Sequence, residues 1–363
     1  MSWPEVSLGE ICKPKQHKTI PKSELLDEGF VVYGANGPIG YYSDFTHDRT
    51  TIAVTCRGAT CGTINVVPPR SYITGNAMAL DDLDEGRVDL RFLRYALEHQ
   101  GFDAVINGAA QPQITRAPLL KYTLPLPPLD EQKRIASILD QADAVRRLRQ
   151  RALDRLDALG QAIFHEMFGA SAKAQRVPLG DIIDVRSSLA DPKLPKNRDL
   201  PHVGPEHIFS GSGRISWERV VSCQEDGVTS GKYVFEDGDV IYSKIRPYLD
   251  KVAIADRKGM CSADMYALNC KKEHSLPSFV HFALGTSEFL SYAAQSSGRA
   301  NIPKINRKQL LGYPIPLPSL DAQREFESKI RNLEDFRMIA ERHSRRTDSL
   351  FASLQSRAFR GEL

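Results

Sequence analysis

The sequence predicts an α+β protein in which two mixed α/β domains are joined by two long antiparallel helices forming a coiled-coil spacer. Three observations lead there: a long internal repeat, glycine- and proline-rich stretches of short β-type runs, and an amphipathic rod after each of them. Residues 112–132 read PQITRAPLLKYTLPLPPLDEQ and residues 303–323 read PKINRKQLLGYPIPLPSLDAQ, identical at 12 of 21 positions in a register of 304 − 113 = 191. The starts of the two copies also match, VSLGEIC from Val6 against VPLGDII from Val177, in a register of 177 − 6 = 171. The second copy therefore carries 191 − 171 = 20 extra residues between matched ends. Matched frames with divergent middles predict one operation performed at two places with different specificity.

The first domain is expected over 1–128 and the second over 176–319. Short runs such as Thr51–Thr55, Thr63–Val67, Asp239–Ser243 and Lys251–Ala255 read as strands, and FLRYAL and FVHFAL place a helix at Leu90–Glu98 and at Phe279–Phe289. Proline-rich PLPPLD and PLPSLD close each domain. The first rod, 129–170, repeats apolar residues at steps of three and four (Ile135, Ile138, Ala142, Val145, Leu148, Ala152, Leu156, Leu159, Ile163, Met167). The second, 320–358, does so with Phe326, Ile330, Leu333, Phe336, Ala340, Leu350 and Leu354, interrupted by His343 and Thr347. Gly160 is the one Gly or Pro between Ile135 and Met167, and 320–358 has none. Asp130 and Asp321 are the expected N-caps, since a carboxylate there accepts unpaired backbone N–H groups. Each rod would expose an apolar seam alone, so the two are expected to pair.

Composition narrows the class. The chain has 363 residues, 41% hydrophobic and 26% charged, as expected of packed domains. Its 48 basic and 45 acidic side chains nearly cancel to +3, so a nucleic-acid surface must come from local clustering. No run approaches the ~18 apolar residues of a membrane helix. MSWPEVSLGE lacks the pattern of a signal peptide, and Cys12, Cys56, Cys61, Cys223, Cys261 and Cys270 lack CxxC spacing. The expectation is a reduced, cytoplasmic protein without membrane contact, its thiols mostly buried.

The junctions PLPPLDEQKRIASILDQAD and PLPSLDAQREFESKIRN, each opening a long helix, together with the ending AFRGEL, resemble the specificity subunit of type I restriction-modification enzymes along the whole chain. The resemblance implies two target recognition domains, each reading one half of an asymmetric, bipartite double-stranded DNA target, with the helices as a ruler between them. It implies two modification subunits that methylate adenine with S-adenosylmethionine, and restriction subunits that use ATP and Mg for translocation and cleavage. No cofactor is expected on this chain. Two alternatives remain open: a recognition subunit for another type of modification or restriction enzyme, and a coiled-coil protein-interaction scaffold.

The chain lacks the expected catalytic motifs and reads as a binding subunit without chemistry of its own. The sequence has no GxxxxGK[ST], no GxGxxG after a strand, and no NPPF- or DPPY-like tetrapeptide. Asp239, Asp250 and Asp256-Arg257-Lys258 match only a loose nuclease pattern. Cys56 and Cys61 with His47 lack a fourth zinc ligand and read as buried thiols. His165-Glu166 lacks the second histidine of HExxH.

Base reading uses Arg or Lys against guanine and Asn or Gln against adenine, with backbone and hydroxyl groups on phosphates. In the first domain the candidates are Lys13, Lys15, His17, Lys18, Asn36, Arg57, Asn107, Gln111, Gln113 and Arg116. In the second they are Arg186, Lys193, Lys196, Asn197, Arg198, Lys244, Arg246, Tyr248, Lys251, Arg299, Asn301, Lys304 and Arg307. Arg57 and Arg246 are expected at equivalent positions after matching strands, as are Arg116 and Arg307, although the latter pair also serves the repeated frame. Metal ligands: none are expected.

Overall fold

The structure, a computed structural model, describes residues 3–108, 111–169, 176–296 and 303–363. It resolves into two compact units, Met1–Arg149 with His343–Leu363, and Gln150–Arg342. Each unit therefore holds one α/β domain together with part of each long helix, Leu129–Phe164 and Leu320–Phe359.

Each unit begins by closing its own ends. Glu5–Ser7 pairs antiparallel with Thr123–Pro125, and Arg176–Pro178 pairs in the same way with Pro314–Pro316. The repeat's two matched ends are thus hydrogen-bonded partners, which explains why both recur while the middles diverge. Leu8 N–H then donates to Tyr122 O at 2.8 Å, and Leu179 N–H to Tyr313 O at 2.8 Å. A Cβ on Gly9 would sit 3.0 Å from Leu120 O, so the LG pair lets two backbones approach.

A four-stranded sheet follows in the same order in both units. In the first it runs Lys13–Lys15, Ala77–Asp81, Thr51–Thr55, Ile64–Val67; in the second Ile183–Val185, Met265–Cys270, Val240–Ser243, Val252–Ile254. Pairing fixes the internal registers. Ala53 faces Ala79 as Ile241 faces Ala267, a register of 241 − 53 = 188. Of the 20 extra residues, 188 − 171 = 17 therefore enter before the Val240–Ser243 strand and 191 − 188 = 3 after it. The insertion coincides with a change in the second sheet. The first unit has three strands, Gly37–Tyr42, Phe30–Gly34 and Tyr72–Ile73; the second has four, Leu189–Ala190, Lys232–Phe235, Gly259–Cys261 and His202–Val203.

The expected helix at Leu90 is present as Leu90–Gln100, capped by Asp89, whose carboxylate accepts from Arg91 N and Phe92 N. The single helix expected at Phe279–Phe289 is two, Pro277–Leu284 and Ser287–Ser296. Gly285 ends the first, and Thr286 Oγ1 accepts Phe289 N–H at 3.2 Å to start the second.

The long helices begin at Leu129 and Leu320, so Asp130 and Asp321 lie inside the first turn. There they favour the positive helix end without being N-caps; Ser319 Oγ accepts Ala322 N–H at 3.3 Å in that role. What fixes both starts is the repeated glutamine. Gln132 Oε1 accepts Asp89 N–H at 2.9 Å, while its Nε2 donates to Arg87 O and Pro127 O at 2.9 and 2.8 Å. Gln323 does the same with Leu276 N–H, His274 O and Pro318 O at 2.9, 2.9 and 3.0 Å. Both side chains are fully buried and use three hydrogen bonds to latch the long helix to the start of the domain helix.

Within each unit the helix segments run antiparallel. In the first, Arg134 reaches Leu363 O at 2.7 Å and Arg146 reaches Asp348 at 2.8 Å. In the second, Arg337 pairs with Asp157 at 2.6 Å and the Phe164 and Phe326 rings lie 5.4 Å apart. Gly160 is explained by Phe282, whose ring carbons would meet an added Cβ at 2.7 Å. The seam is only partly as expected. Ile135, Leu139, Ile330 and Phe351 are buried, and Thr347 is buried with its hydroxyl donating to His343 O, but Val145, Leu148, Leu159, Phe336 and Leu350 are exposed. Five cysteines are buried and Cys61 is half-buried, all as free thiols. No helix is long and apolar enough to cross a membrane among the described residues.

Candidate nucleic-acid interface

In the first unit, loops at one end of the main sheet bring several candidates together. Past the Thr51–Thr55 strand, Arg57 forms a β-bridge with Gln113, which bridges Asn107 in turn, with Gln113 N–H to Asn107 O at 2.8 Å. Gly58 N–H donates to Pro112 O at 3.1 Å. Asn36, in the turn between the Phe30–Gly34 and Gly37–Tyr42 strands, accepts from the Thr60 hydroxyl, which joins that turn to the loop after Arg57. Gln16 Nε2 donates to both Cys56 Sγ and Gly75 O at 2.9 Å, setting the Lys15–Lys18 segment beside Cys56. Lys15, Lys18, Asn36, Arg57, Asn107, Gln111 and Gln113 are all exposed. Arg116 is exposed on the short helix Arg116–Leu120. Among the described residues no ion pair engages Lys15, Lys18, Arg57 or Arg116, whereas Lys13 is paired with Asp82 at 3.0 Å. This is a set of hydrogen-bonding and cationic groups suited to base edges and phosphates.

The second unit gathers a corresponding set. Arg246 N–H donates to Pro303 O at 2.7 Å, Ile305 N–H to Lys244 O at 3.0 Å, and Ile245 bridges Lys304. Arg246, Tyr248, Lys304 and Arg307 are exposed, and Arg307 also reaches Val185 O at 3.4 Å. The pairing corrects the expected equivalence of Arg57 and Arg246. Arg57 pairs with Gln113 as Ile245 pairs with Lys304, so Arg57 matches Ile245 and Gly58 matches Arg246. Gly58 has φ +86° and Arg246 φ +47°, so the second unit puts an arginine into a left-handed turn where the first uses glycine. Lys15 and Arg186 are equivalent in register, since Lys15 is paired with Ala79 and Arg186 N–H donates to Ala267 O.

Three candidates of the second unit are turned toward partners inside it. Arg186 makes a bidentate ion pair with buried Asp239, which replaces the Thr51 of the first unit. Lys244 is buried with its ammonium 5.2 Å from the Tyr266 ring centre, and burial lowers its pKa, with Lys304 adding to the shift. Lys251 Nζ donates to Pro205 O at 2.6 Å. Lys196 and Arg198 lie on a separate loop, where Asn197 is buried against Asp191 O and Arg198 contacts Asp199. Arg299 and Asn301 fall outside the described residues. Gln16 and Thr60, which tie these loops together, carry no signal in sequence spacing. The glutamines Gln132 and Gln323 do, as identical residues of the repeat.

Fold and surface together define a duplicated binding frame with one candidate reading face per unit. A sequence model of the type I restriction modification DNA specificity domain matches residues 2–157 and 173–344, and the chain belongs to that family. It is similar to the type I restriction enzyme EcoDI specificity subunit of Escherichia coli, 39% identical over 189 residues, covering 50% of this chain and 40% of that protein. It also resembles the MjaVIII specificity subunit of Methanocaldococcus jannaschii, 21% identical over 270 residues, 67% of this chain and 63% of that one. The aligned region is thus less than two thirds of either relative. The fold matches a crystal structure of a type I restriction-modification S subunit from M. genitalium, with TM-score 0.59 and 16% identity over 99% of this chain and 96% of that one. A second match, from work on complex assembly and conformational transition of the type I R-M system, has TM-score 0.54 and 18% identity over 100% and 98%.

Proposed function

We propose that this chain is the DNA specificity subunit of a type I restriction-modification complex, reading an asymmetric bipartite target and directing adenine methylation and restriction by partner subunits. The observation that carries the reading is duplication with divergence: one closing strand pair, sheet order and glutamine latch built twice, around reading faces that differ at Arg57/Ile245 and Gly58/Arg246. Family membership supports it. In this reading Lys15, Lys18, Asn36, Arg57, Gln111, Gln113 and Arg116 face one half-site, and Arg246, Tyr248, Lys304 and Arg307 the other. S-adenosylmethionine, ATP and Mg belong to the partners.

Two modification subunits are expected per chain, docked on the exposed apolar residues of the long helices and not on the repeated junctions. The junctions 122–132 and 313–323 turn Tyr122, Leu124, Gln132, Tyr313, Ile315 and Gln323 inward. The helices instead offer exposed apolar residues, Leu148 and Leu350 in the first unit and Leu159, Phe336, Met338 and Ile339 in the second. Native mass spectrometry of the co-expressed proteins is expected to give two modification subunits on one chain, bound to a duplex with a salt-dependent affinity. A chain that saturates at one partner, or shifts no genomic fragment at any salt, would overturn the reading.

A further inference from the structure

Away from the long helices, three side chains distant in sequence meet in the first unit. His17 Nε2 lies 3.1 Å from Asp81 Oδ2, and His47 Nε2 lies 2.8 Å from Asp81 Oδ1, with the two rings edge to face at 4.9 Å. The side chains are 14%, 9% and 18% exposed for His17, His47 and Asp81, so the group is a pocket wall and not a surface patch. His47 and Asp81 open onto a cleft of about 410 Å³ also lined by Thr46, Asp82 and Glu85.

We propose that His17 Nε2, His47 Nε2 and the Asp81 carboxylate form a binding site for one divalent transition-metal cation of the zinc class. Two imidazoles and a carboxylate are a zinc donor set, and they leave a fourth position open to the cleft. Calcium and magnesium prefer oxygen donors throughout, which this set does not provide. The three donor atoms lie within 4.8 Å of one another. Bonds of ~2.0–2.1 Å in a tetrahedral site hold donors ~3.3 Å apart, so the imidazoles need to close by at most ~1.5 Å.

The scaffold is set for this. His47 is held by backbone bonds from Arg70 N–H at 2.8 Å and to Ser71 O at 3.2 Å. Asp81 ends the Ala77–Asp81 strand, which pairs with Lys13–Lys15, and His17 follows the latter strand. Ligation needs a free Nε2 lone pair, so a neutral imidazole moves its proton to Nδ1 with no net release. Thr46 Oγ1 stands 2.7 Å from His47 Nδ1 to accept a hydrogen bond from that Nδ1–H, and is itself fixed by Ile73 N–H at 2.9 Å. Such an outer partner orients the ring and raises its basicity. Bound, the cation would fix the segment that carries Lys15 and Lys18, and the site stands whether or not that segment reads DNA.

The test uses the full chain stripped with a chelator and titrated with Zn²⁺ alone by calorimetry, then with Co²⁺ followed by visible absorption. One equivalent is expected, with the intense bands of four-coordinate Co²⁺. His17→Asn and His47→Asn should each weaken binding at least about 100-fold, with His165→Asn, just past the long helix, unchanged. Because a variant can fail to fold, NMR of the wild-type chain with one equivalent of Co²⁺ provides a separate reading. The His17 and His47 ring protons should carry the large paramagnetic shifts. Their absence, or undiminished binding by the folded double variant, would overturn the site and leave a hydrogen-bonded triad with cations held elsewhere.

Discussion

The two units latch their long helices with the same glutamine but cement the domain helix to them with different chemistry. In the first, Tyr95 donates to Asp140 at 2.9 Å, Arg91 pairs with Asp140 at 3.1 Å and Arg94 with Asp143 at 3.4 Å, beside Phe92–Phe359 and Tyr95–Phe351 ring contacts at 5.6 and 6.1 Å. In the second, Phe164, Phe168, Phe279, Phe282 and Phe326 interlock with ring centres 5.1–6.2 Å apart. The difference teaches which part of the frame the fold requires. Backbone closure and the glutamine are common to both copies, while the interface beside them adds ion pairs to ring contacts in the first unit and is built on a five-ring cluster in the second.

Mutations at these two interfaces should therefore differ in size. Phe326→Ala removes a fully buried ring and is expected to cost about 3–5 kcal/mol, against about 1 kcal/mol for Asp140→Asn, whose ion pair is half exposed and screened. Denaturant unfolding of the full chain compares them, and equal losses would break the contrast. The latch should behave alike in both units. Gln132→Leu and Gln323→Leu each strand a buried N–H and two carbonyls, at roughly 1–3 kcal/mol for each group left unpaired. Melting temperatures that fall for one variant and not the other would show that the latches are not equivalent.

Asp250 sharpens the comparison through pH. Burial pushes its carboxyl up to about 6, and Oδ1 has no hydrogen-bond partner among the described residues. A folded-state pKa above the unfolded value means the native state binds more protons between about 4 and 6, so stability declines as pH rises through that window. Asp250→Asn should flatten that slope and raise stability at pH 7 by on the order of 1–2 kcal/mol. An unchanged slope would place the titration elsewhere.

The smallest stability change is expected at Arg246, where a left-handed arginine stands in place of a glycine. Arg246→Gly should stabilise the fold by about 0.5–1 kcal/mol by relieving that strain. It should weaken DNA binding about tenfold if the side chain reads a base. A stability gain without an affinity loss would remove Arg246 from the reading face.

The fold was largely legible because the repeat is made of the residues that close each unit: the LG pair, Tyr122 and Tyr313, the prolines and the glutamines. The reading faces were less so. The outer registers of 171 and 191 do not reveal the inner one of 188, which only strand pairing supplies, so the sequence aligns Arg57 with Arg246 where the fold aligns it with Ile245. Partnership was equally hidden. Nothing in the spacing says that Arg186 meets Asp239 or that Lys244 lies against Tyr266. The His17, His47 and Asp81 group, separated by 47 − 17 = 30 and 81 − 47 = 34 residues, exists only once three segments are folded together.

The central claim is that two equivalent frames carry two different reading faces, and single-molecule methylation mapping of a host expressing this chain with its partners tests it most directly. Methylated adenines are expected in a motif of two unlike half-sites separated by a fixed unspecified gap, with Arg246→Gly altering one half-site and leaving the other intact. An uninterrupted palindrome, or a substitution in one unit that changes both halves, would contradict it.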